Sequence, residues 1–154
     1  MKILTIPELY SACREWRWDG ASIVHCHGCF DPVHLGHILH FEEAKKLGNI
    51  LVVTLTADAF VRKGPDRPRF LDRDRARGVA AIECVDAVAI VHHETAEGVI
   101  ATVRPHLFVK GEEYRYKRTA PLIKEERAVE KHGGRVDYVS GPAVYSSTAL
   151  LAGV

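Results

Sequence analysis

The sequence predicts an α/β domain built on a doubly wound, five-stranded parallel sheet. Two observations carry that prediction. Five short runs rich in β-branched residues are mostly apolar on both faces, as strands covered by helices on both sides are. Stretches with helical apolar spacing lie between them in strict alternation, which implies right-handed crossovers. The 154 residues suit a single domain with its own core.

Taken in order, residues 7–17 read as an amphipathic helix with Pro7 near its start, so that 1–20 form a helical segment packing on a domain of residues 21–154. The strands are "ASIVHC" (21–26), "NILVVTLTA" (49–57), "DAVAIV" (86–91), "LFVK" (107–110) and "RVDYV" (135–139). Between them the helices run over 36–47 "GHILHFEEAKKL", 72–83 "DRDRARGVAAIE", 95–103 "TAEGVIATV" and 121–132 "PLIKEERAVEKH", with a short last one from Ser147. Gly48 and Gly133-Gly134 are the expected helix stops. The whole is a Rossmann-like arrangement, in which ligands bind beyond the carboxyl ends of the strands where the strand order reverses.

Composition narrows the function classes. Lys+Arg 21 nearly balance Asp+Glu 20, so no long basic face predicts a nucleic-acid partner. No apolar run approaches the ~20 residues that span a bilayer, and the opening "MKILTIPELYSACREWRW" is interrupted by Glu8, Arg14, Glu15 and Arg17, unlike a leader peptide. The cysteines at 13, 26, 29 and 84 are too few for a disulfide-stapled secreted fold. These features predict a soluble cytoplasmic protein with small-molecule partners, without membrane or nucleic-acid contacts.

"HCHGCFDPVHLGHILHF", residues 25–41, holds five histidines and two cysteines, which suggests either a metal site or a phosphate grip. A closed zinc site wants about four ligands, and "CHGC" offers one Cys-x-x-Cys pair without a second. On a strand, His25 and His27 share one face while Cys26 points to the other, so no metal site is predicted. Phosphate fits better. Gly28 ends the strand and permits close backbone approach, Pro32 stops pairing, and the next helix opens near Leu35 with unpaired amides. His34 and His37 then project from one face toward the same anion, with the small Gly36 between them, and two imidazoles at a helix start can neutralise charge on a phosphate. As ordinary alternatives, the pair could be surface imidazoles capping the helix, and Lys63 with Arg62, Arg67 and Arg69 a solvated loop.

The frame "GCFDPVHLGH", in which Gly28, Phe30, Asp31, His34, Gly36 and His37 match, resembles the signature of the nucleotidyltransferase superfamily with the His-x-Gly-His motif. The resemblance covers nearly all of 22–152. "FEEAKKLGNILVVTLTAD", "KGPDRPRF", "RARGVAAIECVDAVAIV", "RPHLFVKGEEY" and "YSSTALL" follow the order and spacing of the heptose 1-phosphate adenylyltransferase domain. The chain is similar, less closely, to glycerol-3-phosphate and phosphoethanolamine cytidylyltransferases. Those carry an arginine in the segment before the last helix, where this chain reads "GPAVYSSTALL". That departure favours ATP over CTP as donor. The heptose enzyme often comes fused to a sugar kinase, which is not found within this sequence, and the acceptor is left open.

The resemblance implies transfer of AMP from ATP to a sugar phosphate such as heptose 1-phosphate, with release of pyrophosphate, or in the alternative cytidylyl transfer from CTP to glycerol 3-phosphate, phosphoethanolamine or a phosphonate, with Mg²⁺ accompanying the nucleotide and a homodimer as the expected assembly. It implies catalytic roles for His34, His37 and Lys63, with Arg75 as a secondary phosphate contact. Gly28, Cys29, Phe30 and Gly36 line the expected nucleotide site, and Lys110 and Gly111 neighbour the base or ribose. Ser146, Ser147 and Thr148, at the last helix start, offer hydroxyls and amides to the β and γ phosphates. Asp31 either orients the turn or receives the acceptor's hydroxyls. His27 and His40 are demanded by nothing in the motif.

Overall fold

The computed structural model describes residues 2–140 and 147–152, and of Ser147 the backbone only. Thr5 opens the first helix, α1 (Ile6–Trp18), with a reciprocal cap: the Glu8 amide donates to its hydroxyl while its own amide donates to the Glu8 carboxylate. There follow β1 (Ile23–Gly28), α2 (Leu35–Lys45), β2 (Ile50–Thr56), α3 (Asp72–Ala80) and β3 (Ala87–Val91). The second half contains α4 (Glu97–Val103), β4 (Leu107–Gly111), α5 (Ala120–Lys131), β5 (Arg135–Val139) and α6 (Ser147–Leu151). Two short 3₁₀ turns, Asp58–Phe60 and Glu112–Arg115, follow β2 and β4; residue patterning did not predict them.

The sheet order is β3-β2-β1-β4-β5 and every pairing is parallel. The chain winds outward from β1 to β3, then returns to lay β4 against the other side of β1. The order therefore reverses between β1 and β4, and the crevice above their carboxyl ends is where an open α/β sheet accepts a ligand.

Side-chain alternation divides the core into two layers. Val24, Cys26, Leu51 and Val53 face Phe41 of α2 and Val79 of α3. Ile23, Val52 and Phe108 face Leu9 of α1, Ile100 of α4 and Val129 of α5. Phe41 and Phe108 are each wholly buried, one per layer, and burying such a ring contributes roughly 1.5–3 kcal/mol. With Leu9 and Cys13 fully buried, α1 is part of the second layer.

Element ends differ from the sequence expectation where neighbours decide them. β1 continues through His27 and Gly28 because these pair with Thr54 and Leu55 of β2. α3 stops at Ala80 because the amides of Ala81 and Ile82 turn back to the carbonyls of Arg77 and Val79. A Cβ on Gly78 would meet only Val33 Cγ2 at 3.8 Å, so close packing does not demand that glycine. Among the described residues no helix is long and apolar enough to cross a membrane.

Candidate active site

The chain leaves β1 through a tight turn over the switch point. Phe30 adopts φ 53, a left-handed conformation uncommon outside glycine. Burial of its ring compensates, edge-on to His37 at 5.0 Å and to Phe41 at 5.2 Å between centroids. A Cβ on Gly28 would stand 2.9 Å from Phe30 Cζ, and the displaced ring would press on His37. Gly28→Ala is therefore expected to cost about 1–3 kcal/mol of stability, read from urea unfolding, and to lower turnover beyond any loss of folded protein.

His34 is the N-cap of α2 and Gly36 its second residue, which leaves His37 one turn above the cap. The two imidazoles stack, with centroids 3.7 Å apart and planes 22° from parallel. His37 Nδ1 accepts from the His34 amide at 3.3 Å, which leaves the His37 proton on Nε2. Burial, helped by the charges of His34, His40 and Lys63, lowers His37 to about 3, and burial also lowers His34. Both imidazoles are thereby shifted toward their neutral form, and His37 presents its Nε2–H at the helix start. Lys63, exposed on the loop after β2, adds a positive charge that acts on His37.

Asp31 is wholly buried and both its carboxylate oxygens are engaged. Oδ2 accepts from Arg67 Nε and the Arg69 amide, each at 2.8 Å, and Oδ1 accepts from the Phe70 amide at 2.9 Å. Of the two roles open to Asp31, these contacts match the orienting one. Burial pushes its carboxyl up, but the Arg67 hydrogen bond, the two amides and the Arg67 charge together hold it below the ordinary range. Arg67 also donates to the Asp31 carbonyl at 2.8 Å and to Thr148 Oγ1 at 3.2 Å, joining the turn, its own loop and α6. Its side chain is only 8% exposed, so the solvated-loop alternative does not describe it. Arg62, by contrast, lies at the surface beside Glu94.

Arg75 has different partners from the phosphate its expected role requires. Its Nη1 donates to the Cys29 carbonyl at 2.7 Å, Nε to the Phe70 carbonyl at 2.9 Å and Nη2 to Asp58 Oδ1 at 2.7 Å. With its side chain 1% exposed, Arg75 clamps the glycine turn from beneath. Ser146 lies outside the described residues; Ser147 begins α6, and Thr148 is held by Arg67.

At the end of β4, the Glu113 carboxylate packs directly onto Gly111. Lys110 points to the α5 layer, its ammonium 3.2 Å from Glu125 Oε2 and 5.3 Å from the centroids of both Phe108 and Tyr114. Sequence reading missed Glu125, although a signal existed: it shares a helix face with Leu122 and Val129, where an apolar residue belongs. It also missed a row of polar side chains on the same layer. His25 Nε2 and His27 Nδ1 both stand 2.8 Å from Thr54 Oγ1, and His27 Nε2 lies 3.4 Å from Thr56 Oγ1. On the opposite layer Cys26 Sγ is 3.6 Å from His40 Nε2, and burial pushes its thiol up to about 12, so it stays protonated.

The sequence model of the family described as cytidylyltransferase-like matches residues 25–148. The bifunctional protein HldE of Syntrophotalea carbinolica is 38% identical over 137 residues, covering 88% of this chain and 27% of that protein. HldE of Geotalea uraniireducens is 36% identical over 152 residues, covering 97% of this chain and 30% of that protein. The chain thus spans less than a third of the length of these relatives. The lipopolysaccharide core biosynthesis protein from Thermoplasma volcanium superposes with a TM-score of 0.63 at 28% identity, covering 79% of this chain and 96% of the other. Pantoate-beta-alanine ligase from Francisella tularensis shares the fold, with a TM-score of 0.68 at 12% identity over 97% of this chain and 72% of the other.

Proposed function

The chain belongs to the cytidylyltransferase-like family, and from that premise we propose that it transfers AMP from ATP to the phosphate of a sugar 1-phosphate, of the heptose kind, with release of pyrophosphate. The observation that carries this reading is the His34–His37 stack at the head of α2, with the His37 Nε2–H donor oriented above the β1/β4 switch point. The preference for ATP and a sugar phosphate leans on the likeness to the HldE proteins and to the lipopolysaccharide core biosynthesis protein.

The chemistry asks for little beyond placement. A phosphate monoester, with a second pKa of about 6, is already largely dianionic at neutral pH, so its oxygen attacks the α-phosphorus without a protein base. One bond forms between that oxygen and the α-phosphorus, the bond to the pyrophosphate oxygen breaks, and the product is a nucleoside diphosphate sugar. His37 donates Nε2–H to the crowded equatorial oxygens, His34 and the α2 amides assist, and Lys63 follows the leaving pyrophosphate. Gly28, Cys29, Phe30 and Gly36 give the backbone its close approach to the triphosphate. Asp31, Arg67 and Arg75 act behind them as the frame that holds the turn, Gly111 borders the nucleoside, and the Ser146–Thr148 segment meets the β and γ phosphates.

Mg²⁺ would accompany the triphosphate and supply charge compensation there. One observation fits that arrangement: both Asp31 oxygens already have donors. On the strength of the family resemblance we place the reaction in the cytoplasm and in a homodimer.

Pyrophosphate release tests the reading, with ATP, CTP, GTP and UTP crossed against heptose 1-phosphate, other sugar phosphates, glycerol 3-phosphate and phosphoethanolamine. Turnover with ATP and a sugar 1-phosphate is the expected result. Turnover with CTP alone would transfer the protein to the cytidylyl branch, and silence with every pair would refute the catalytic assignment.

A further inference from the structure

We propose that His27 is a specificity-determining residue that binds a hydroxyl of the acceptor through its Nε2–H, with its proton position set by a buried relay from His25 through Thr54. The proposal rests on the sugar-phosphate reading above and identifies what reads the non-phosphate part of that substrate.

The relay follows from counting protons. Thr54 Oγ1 stands 2.8 Å from both His25 Nε2 and His27 Nδ1, and with one proton it can donate to only one of them; that proton is used between the two rings when one nitrogen accepts from it and the other donates to it. His25 decides which. It is wholly buried, edge-on to Phe108, and its Nδ1 has no hydrogen-bond partner. If His25 Nε2 accepted, its Nδ1 would carry a proton with nowhere to donate it, and an orphaned buried N–H is the rarer and costlier defect. The favoured order is therefore His25 Nε2–H to Thr54, and the Thr54 hydroxyl to His27 Nδ1. The His27 proton is left on Nε2. Burial and the Lys110 charge lower His27 to about 3, and burial holds His25 well below its ordinary value, so both rings are the neutral species that this order requires.

The donor is placed for a ligand. His27 is the penultimate residue of β1, partly exposed, beside the switch point. Its Nε2 is 3.4 Å from Thr56 Oγ1, longer than the usual 2.7–3.2 Å, so an incoming oxygen can take the proton. Lys110, penultimate in β4, adds an ammonium whose charge Glu125 already compensates. A neutral donor, a compensated cation and a hydroxyl suit an array of hydroxyls better than a further phosphate. Two sources of such hydroxyls exist, the acceptor's polyol and the nucleotide's ribose. We assign the acceptor because the row faces α4 and α5, whereas α2, whose head receives the triphosphate, packs on the other side of the sheet.

The experiment measures initial rates for wild type, His27→Leu and His27→Gln with ATP and the best sugar 1-phosphate. His27→Leu is expected to raise the acceptor KM about tenfold, the loss of one good hydrogen bond, and to leave the ATP KM within about twofold. His27→Gln, which keeps an N–H donor, should recover most of the loss. One monodeoxy acceptor should match the defect in wild type and add nothing to it in His27→Leu. A rise in the ATP KM instead, with a matching penalty for 2′-deoxy-ATP, would assign the row to ribose and overturn the proposal, as would equal changes for both substrates.

Histidine ¹⁵N spectra of the wild-type protein near pH 7 test the relay without catalysis: His27 must be protonated at Nε2 and bare at Nδ1, and the opposite tautomer sinks it. An active wild type without the KM split would fail this inference alone. A wild type inactive on every sugar 1-phosphate would fail the functional reading and the acceptor role with it.

Discussion

His37→Ala is expected to lower kcat about 10²–10³-fold in the proposed transfer, the usual cost of losing one donor aimed at a developing oxyanion. The ATP KM should move much less, because the proposed reading gives most triphosphate contacts to the α2 amides, His34, Lys63 and the loops. His37→Gln should restore part of the rate, since it keeps an N–H. The pH profile separates the roles an imidazole can play. A required imidazolium with an ordinary value of 6.5 would lose activity as pH rises through neutrality. Burial lowers His37 to about 3 in the unliganded protein, and its Nδ1 is tied to the His34 amide. The free enzyme's kcat/KM should therefore show no fall attributable to His37 between pH 6 and 8. A tenfold fall over that range, absent from His37→Gln, would show that the charged form acts.

Asp31→Ala is expected to be the most destabilising change in the site, by about 3–5 kcal/mol, because it leaves the Arg67 charge, 8% exposed, without its carboxylate. The amides of Arg69 and Phe70 lose their acceptor at the same time. Urea unfolding of the variant measures the loss, and a change under about 1 kcal/mol would show that the cage is not holding the turn. The same carboxylate makes a prediction about acid. Its folded value lies below the ordinary 3.8, so its contribution is complete above that pH and is lost as pH falls through the folded value. His27 and His37, both lowered from 6.5 to about 3, act earlier. The unfolded chain binds protons below pH 6.5 that the folded chain refuses, so stability should decline from there by up to roughly 1.4 kcal/mol per pH unit for each ring.

Much of this was legible in the chain. The β-branched runs and the helical spacing between them fall on the observed strands and helices, because burial of both sheet faces forces that pattern on any sequence with this fold. The Gly-x-Phe-Asp-x-x-His-x-Gly-His frame located the turn and the head of α2 because every residue in it is within one short stretch of chain. Arg67 was not legible as a site residue in the same way. Arg67 finds its carboxylate 36 positions away, and no local pattern distinguishes it from the solvated Arg62 earlier in the same loop. Arg75 was legible as an important arginine, but its partners Cys29, Asp58 and Phe70 come from three separate segments.

The sequence by itself determined the strand and helix periodicities, the face on which each strand residue points, and the residue types at the phosphate turn, since these are local properties of backbone geometry and chain order. Only the tertiary structure decided protonation and partnership. Burial holds the His37 imidazole in its neutral form, the sheet register set Thr54 between two imidazoles, and the meeting of two distant loops turned Asp31 and Arg67 into a frame. Those outcomes depend on solvent exclusion and on distances between segments far apart in the chain, neither of which exists until the chain has folded.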